Sequence, residues 1–252
     1  MADRLILATL AVSGFTSMMY EVAWTRALSA MIGSSTYAFS IMLVTFLVGI
    51  ALGSSIAGRR RPAANLRVLG LMQLGVAIGG CVFIIGYLVA PYALIALIRA
   101  FSYSFPAILT TQFIVSAALM ILATISMGAT FPVASQLYSR RMLVLGRSIG
   151  NIYSVNTIGA ILGSLLAGFV LMPLIGTERT ILAGLFFNSA MALLLFTEAK
   201  TVGRMSRGAA VILLVVATIS MRGGLFWSPG SLDRGVLIYS EQFENRPEMT
   251  ID

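Results

Sequence analysis

The chain has no histidine, a single cysteine and few charged residues, and these shortages exclude several classes of protein. Of its 252 residues 10% are charged and 58% are hydrophobic, whereas a soluble domain carries about 25% charged residues. Such a chain cannot cover a water-facing surface, so most of its surface must face lipid. One cysteine excludes an internal disulfide, and the lack of histidine excludes a His-based metal or acid–base site. We therefore expect no metal and no cofactor.

The motifs of enzyme chemistry are missing as well. The sequence contains no CxxC, no nucleophile elbow, no carboxylate pair within the apolar runs and no glycine-rich nucleotide loop after a strand. We predict no catalytic residue in this chain. The formal net charge of +8 would suit nucleic acid, but the basic residues form short clusters between apolar runs rather than a stripe. The predicted partner is a lipid bilayer and not a nucleic acid.

Seven apolar runs are long enough, or nearly so, to cross a hydrocarbon core of about 30 Å. They cover approximately residues 5–22, 36–58, 67–89, 107–137, 148–173, 180–197 and 209–227. The seventh is the weakest, because Arg222 and two glycines interrupt it. The predicted fold is an all-α integral membrane bundle of about seven helices over residues 1–227, with an extramembrane tail over residues 228–252. The segment from Pro91 to Tyr103 is predicted to be a separate helix in the membrane interface.

The basic residues predict how the bundle lies in the membrane. Alternate loops divide them into a large set (Arg4, Arg59, Arg60, Arg61, Arg67, Arg140, Arg141, Arg147, Lys200, Arg204, Arg207) and a small one (Arg26, Arg99, Arg179, Arg222). Basic residues accumulate on the cytoplasmic side of membrane proteins. We expect a multi-pass protein of a bacterial-type inner membrane with its N-terminus in the cytoplasm. Seven crossings then place the tail on the outer side.

A pattern of small residues recurs in two of the apolar runs. GIALGSSIAG covers residues 49–58 and GAILGSLLAG covers residues 159–168, an offset of 110 residues (position 49 against position 159). Glycines four residues apart allow a neighbouring helix backbone to approach closely. We predict helix packing at Gly49, Gly53, Gly58, Gly159, Gly163 and Gly168. Either two smooth faces arose independently, or a three-helix unit is duplicated with its second copy inverted, as in many secondary transporters.

Few polar side chains fall inside the apolar runs, and these are the candidates for a site. Glu21 is the only carboxylate well inside them. It is either an interfacial group paired with Arg26 beside a tryptophan anchor, or a cation- or proton-binding group at the mouth of the bundle. Asn151, Tyr153 and Asn156 stand near the start of the fifth run, where amides either bond across helices or contact a substrate. These five residues form the candidate intramembrane polar site.

Four segments resemble the membrane portion of fused spermidine synthase-like proteins, in which a major-facilitator-type membrane part precedes a synthase-like domain. They are SGFTSMMYEVAWTR at 13–26, GSSTYAFS at 33–40, GATFP at 128–132 and GNIYSVNTIGAILG at 150–163. The tail from Arg234 to Asp252 resembles the β-hairpin that opens the synthase-like domain. The resemblance implies a polyamine aminopropyltransferase-like domain beyond Asp252, supplied either by a longer chain or by a second polypeptide.

Two functions follow as hypotheses. In the first, the chain is a scaffold or anchoring subunit whose tail binds a synthase-like domain or other membrane subunits. That hypothesis predicts a dry bundle in which Glu21 pairs with Arg26. In the second, the chain is a transporter-like bundle that moves or channels a small cation such as a polyamine. This alternative predicts a polar cavity where the two repeats meet, near Glu21 and the segment from Asn151 to Asn156.

Overall fold

A computed structural model describes residues 2–33, 36–60, 64–100, 104–139, 145–199 and 203–223. These residues form long helices with the following bounds: α1 Ala2–Ile32, α2 Thr36–Arg60, α3 Leu66–Ala100, α4 Phe105–Ser139, α5 Leu145–Leu166, α6 Met172–Glu198 and α7 Arg204–Gly223. A π-helical turn, Ala167–Leu171, joins α5 to α6. The predicted β-hairpin of the tail (228–252) lies outside the described residues.

Six segments of the described chain are long and apolar enough to cross a membrane. The prediction of an all-α, multi-pass membrane protein is therefore confirmed. One of the six segments, Ile149–Glu198, runs for 50 residues, which is about 75 Å of continuous helix and more than twice the hydrocarbon thickness. Its backbone is interrupted at Gly176, where φ is 82° and ψ is 169°. Only glycine takes such a conformation readily, so the chain changes direction there.

The legs on either side of Gly176 run in opposite directions along α1. On α5, Gly159 lies against Ala11 and Gly163 lies against Phe15, so α5 is parallel to α1. On α6 the order is reversed, because Gly184 lies against Tyr20 whereas the later Asn188 bonds to Thr16. The long apolar segment is therefore folded back on itself.

The helices pack in an arrangement that is unchanged when the first three are exchanged with the next three. Helices α1 and α4 are central; α2 packs on α4 and α5 packs on α1, while α3 packs mainly on α4, α6 packs on α1, and α3 and α6 pack on each other. Helix α7 covers α6 and the edge of α3. Contacts along the helices show that α3 is parallel to α1 and antiparallel to α4 (Gly80–Tyr20 and Tyr87–Ala27; Gly75–Ser126 and Gly86–Leu119). Consequently α1 and α4 are antiparallel.

An aromatic stack between α1 and α3 forms the centre of the packed interior. The ring centroid of Trp24 lies 4.7 Å from that of Tyr20 and 5.1 Å from that of Phe83. The Tyr87 hydroxyl donates a hydrogen bond of 2.9 Å to the carbonyl of Ala27. Trp24 has no exposed surface, so the expected interfacial tryptophan anchor is instead a core residue.

The predicted interfacial helix after Pro91 is also wrong as a separate element. Helix α3 continues through Pro91 to Ala100. Leu94 and Ile98 beyond the proline are buried against the other helices, with 4% and 7% exposure. Packing of this end of α3 therefore outweighs the local cost of a proline inside a helix.

Candidate functional site

The recurring glycines bring each peripheral helix against the central helix of the other half. A Cβ added at Gly53 of α2 would overlap the backbone of Ile125 in α4, and one added at Gly163 of α5 would overlap the backbone of Phe15 in α1. Ile125 and Phe15 are themselves separated by the same 110 residues as the two glycines. The repeat offset therefore extends from the peripheral helices to the central ones.

One turn earlier the close packing continues, but the nearest partners are no longer exact counterparts. A Cβ at Gly49 would overlap the side chain of Thr124, and one at Gly159 would overlap the backbone of Ala11, whose counterpart Ile121 lies 3.6 Å from the Cβ at Gly49. The close packing stops at the ends of the motif. The predicted packing contacts at Gly58 and Gly168 are not formed: among the described residues nothing lies within 4 Å of a Cβ at Gly58, and only Val22 reaches 4.0 Å at Gly168. At these positions no backbone of a central helix (α4 or α1) lies close to the glycine, so the last glycine of each motif is not enclosed.

Ser17 and Met127 mark the point where the two halves meet. The Ser17 hydroxyl lies 3.5 Å from the Met127 sulfur, and the two residues are 110 positions apart. A residue can contact its own repeat equivalent only close to the symmetry axis that relates the repeats. The antiparallel course of α1 and α4 places that axis across the helices, in the plane of the membrane, as expected of inverted repeats.

A cavity of about 390 Å³ lies on this axis, with α1 and α4 as its floor and α2 and α5 as its walls. Its polar lining consists of Ser13, Ser17, Ser54, Tyr153 and Asn156. The remaining lining is apolar or glycine and includes Met18, Met127 and Phe131. The Phe131 and Tyr153 rings lie 4.9 Å apart on the same side of it.

The cavity is displaced toward the end of the bundle where arginines are concentrated. On α2 it reaches Ser54, six residues before the helix end at Arg60, and on α5 it begins at Tyr153, eight residues after the start at Leu145. Helices α1 and α7 begin at the same end, with Arg4 and Arg204 in their first turns. The lining residues therefore extend from Ser17 and Met127 toward that end.

The predicted polar site is only partly assembled. Tyr153 and Asn156 line the cavity, whereas Asn151 is exposed on the outer surface of α5. Glu21 is half-buried and Arg26 is exposed. These two residues are five positions apart on one continuous helix, about 140° apart around its axis, and within the described chain no ion pair joins them. The predicted Glu21–Arg26 pair is thus not formed, because side chains face one another at spacings of three or four residues.

The serines of α1 belong to the site although the sequence did not single them out. Ser13 and Ser17 stand one turn apart in α1 and point to the cavity. The offset of 110 pairs every residue of α1 with one of α4, so only the contact between Ser17 and Met127 shows which pair lies at the axis. The glycine motif alone identifies only the two walls.

A second polar contact joins α1 to α6. Asn188 donates a hydrogen bond of 2.7 Å to the carbonyl of Gly184, and its amide oxygen accepts one of 3.3 Å from Thr16. This contact joins helices rather than lining the cavity. Gln73 of α3 is fully buried, and its amide atoms have no hydrogen-bond partner among the described residues. No group of three or more acidic or cysteine side chains in the described part of the chain could hold a metal ion.

No family model, no curated protein and no solved structure matches this chain.

Proposed function

We propose that the bundle is a membrane carrier that passes a small solute through the cavity between its two halves. The observation that carries the proposal is the position of the cavity on the axis marked by Ser17 and Met127. Inverted-repeat transporters bind their substrates where the repeats meet, near the middle of the bilayer. A cavity in this place is on the path that a solute must follow.

The lining supports binding of a small molecule rather than simple imperfect packing. A volume of about 390 Å³ is within the range of about 300–1,000 Å³ that small-molecule sites occupy. Polar atoms facing lipid are costly, so Asn156, Ser13 and Ser17 indicate that water or a polar ligand reaches them. The apolar remainder fits the usual composition of such sites, in which a few polar groups orient the ligand.

These findings favour the carrier over a scaffold without a cavity. The scaffold hypothesis predicts a bundle without a water-filled cavity and a Glu21–Arg26 pair; the cavity at the axis, and the lack of an ion pair between these two described residues, support the carrier instead. Anchoring of a synthase-like domain is a second proposal, and it depends on the sequence of residues 234–252 and on the resemblance of the four membrane motifs. Solute transport and anchoring are compatible in one chain, because the tail follows α7 in sequence and α7 lies at the edge of the bundle.

We also propose seven crossings in an inner membrane, with the N-terminus in the cytoplasm and the tail outside. The proposal of seven rests on the reversal at Gly176, which divides one of the six candidate segments, the 50-residue one, into two legs of opposite direction. Arg4, Arg59 and Arg204 lie at one end of the bundle, and the positive-inside rule assigns that end to the cytoplasm.

The carrier is tested by counterflow in liposomes that contain the purified chain and are preloaded with unlabelled putrescine, choline, alanine or glucose. We expect at least one labelled solute to accumulate faster than in protein-free liposomes. Asn156→Leu should lower that rate at least about tenfold, because it removes a hydrogen-bonding group from the cavity. Asn151→Leu is the matched control on the same helix, outside the cavity, and should leave the rate within about twofold. A folded protein that accelerates none of the four solutes contradicts the proposal.

A further inference from the structure

The repeat relation assigns each residue of the cavity a counterpart on the other side of the axis. In three counterpart pairs both residues line the cavity, namely Ser17 with Met127, Met18 with Gly128 and Ile50 with Ala160. These pairs show that the cavity straddles the axis. Its other lining residues lie on one side, and their counterparts identify the opposite half of the same path.

The register of this relation is fixed at several independent points. The hydroxyls of Ser54 and Ser164 each donate a hydrogen bond of 3.0 Å to a carbonyl three residues earlier, in Ala51 and Ile161. On the central helices, Thr16 bonds to Val12 at 2.9 Å and Ser126 bonds to Leu122 at 2.8 Å. Each pair of bonds is related by the same offset as the Ser17–Met127 contact. No insertion or deletion separates the two halves between residues 11 and 54.

The opposite half is packed where the cavity is open. The counterparts of Asn156, Ser13 and Gly14 are Phe46, Ala123 and Thr124. Phe46 is 2% exposed, whereas Asn156 is partly exposed. Ser13 and Gly14 are buried, as are Ala123 and Thr124, so the difference between the halves lies at the walls formed by α2 and α5. Exchanging the packing of these two walls would close the present cavity and open its counterpart on the other side of the axis.

One exchange changes the chemistry of the path. The counterpart of Phe131, which lines the cavity, is Glu21. Building on the carrier proposed above, we propose that Glu21 lines the opposite half of the path in the alternate state and binds an organic cation there. The path would thus carry an aromatic side chain, Phe131, on the arginine-rich side of the axis and a carboxylate, Glu21, on the other side.

This assignment explains the placement of a lone carboxylate among apolar helices. A charged group within the bilayer is costly, and such groups face a polar cavity or a partner. Glu21 is half-buried and has no ion pair with Arg26, so packing against a cation is not its present role. A negative charge on one side and a neutral lining on the other make the solute bind more tightly at the outer face, which favours uptake.

Matched cysteine reporters test this inference in a Cys81→Ala background. Ser54→Cys reports on the described cavity, and Ser164→Cys reports on its counterpart. A membrane-impermeant maleimide should label Ser54→Cys in inverted membrane vesicles and Ser164→Cys in intact cells. Putrescine, used as the cationic probe, should protect both reporters. Glu21→Gln should raise the putrescine concentration that half-protects Ser164→Cys about tenfold or more and leave that for Ser54→Cys within about threefold.

Controls separate this inference from the carrier proposal and from misfolding. Glu198→Gln removes an exposed carboxylate at the end of α6 and should change neither protection curve. The double variant Glu21→Phe/Phe131→Glu should transfer the stronger protection to Ser54→Cys. If both reporters label from the same side, or if Glu21→Gln affects them equally or not at all, the inference is wrong even where counterflow of a neutral solute succeeds. Absence of counterflow for all solutes would instead refute the carrier itself.

Discussion

Gly163→Leu is expected to destabilise the bundle by about 3 kcal/mol or more, the upper end of the cost of overfilling a packed interior. The added side chain would meet the Phe15 backbone rather than a movable side chain, so α5 must separate from α1. In lipid, close backbone approach is the main source of helix–helix attraction. The effect should therefore exceed that of a small-to-large change that meets only a movable side chain. Unfolding with sodium dodecyl sulfate, followed by circular dichroism, measures it.

Gly58→Leu is the control for this result. Gly58 belongs to the same repeated motif, but nothing among the described residues occupies the space beside it. The substitution should change the free energy of unfolding by less than about 0.5 kcal/mol, as surface substitutions usually do. Equal destabilisation by both leucines would mean that α5 does not pack on α1 as described.

Trp24→Ala should cost about 3 kcal/mol, near the lower end of the range for removing a large aromatic side chain from a core. The side chain is fully buried and stacked between Tyr20 and Phe83, so alanine leaves a cavity. The lower end applies because the side chain of the unfolded protein enters detergent rather than water. The free energy of transferring the indole from water to an apolar interior then contributes little to the cost. The same detergent titration measures the change.

Trp24→Phe separates packing from hydrogen bonding at this position. The indole nitrogen has no hydrogen-bond partner among the described residues, so phenylalanine should retain most of the stability and cost about 1 kcal/mol or less. Phe169→Ala serves as the exposed control, since Phe169 is 80% exposed on the outside of the bundle. A loss at Phe169 as large as that at Trp24 would contradict the burial described here.

Composition and run length were sufficient to predict the class of fold. Apolar runs of about 20 residues must form helices in lipid, because no water is present to satisfy the backbone. Local composition was a poorer guide where tertiary packing decides. Pro91 was expected to end a crossing, yet α3 continues past it, and Trp24 was expected at the interface but is buried in the interior.

The candidate site could be predicted only in part. The glycine motifs indicate where α2 and α5 pack, but the sequence of α1 shares few identities with that of α4, so the meeting point at Ser17 and Met127 required the structure. Tyr153 and Asn156 line the cavity while Asn151 does not, because Tyr153 and Asn156 are three residues apart and share a helix face, whereas Asn151 is two and five residues from them and lies on another face. Which face is enclosed depends on neighbours that are distant in sequence.

The most direct test of the account is whether Ser17 and Met127 adjoin at the axis. In a Cys81→Ala background, Ser17→Cys/Met127→Cys should form a disulfide on mild oxidation. Ser13→Cys/Ala123→Cys has the same separation of 110 in sequence but should not, because four residues in opposite directions along antiparallel helices place it about 12 Å apart. Cross-linking of the first pair alone is the predicted result. Failure of the first pair, or equal cross-linking of both, would contradict two inverted halves that meet at a central cavity.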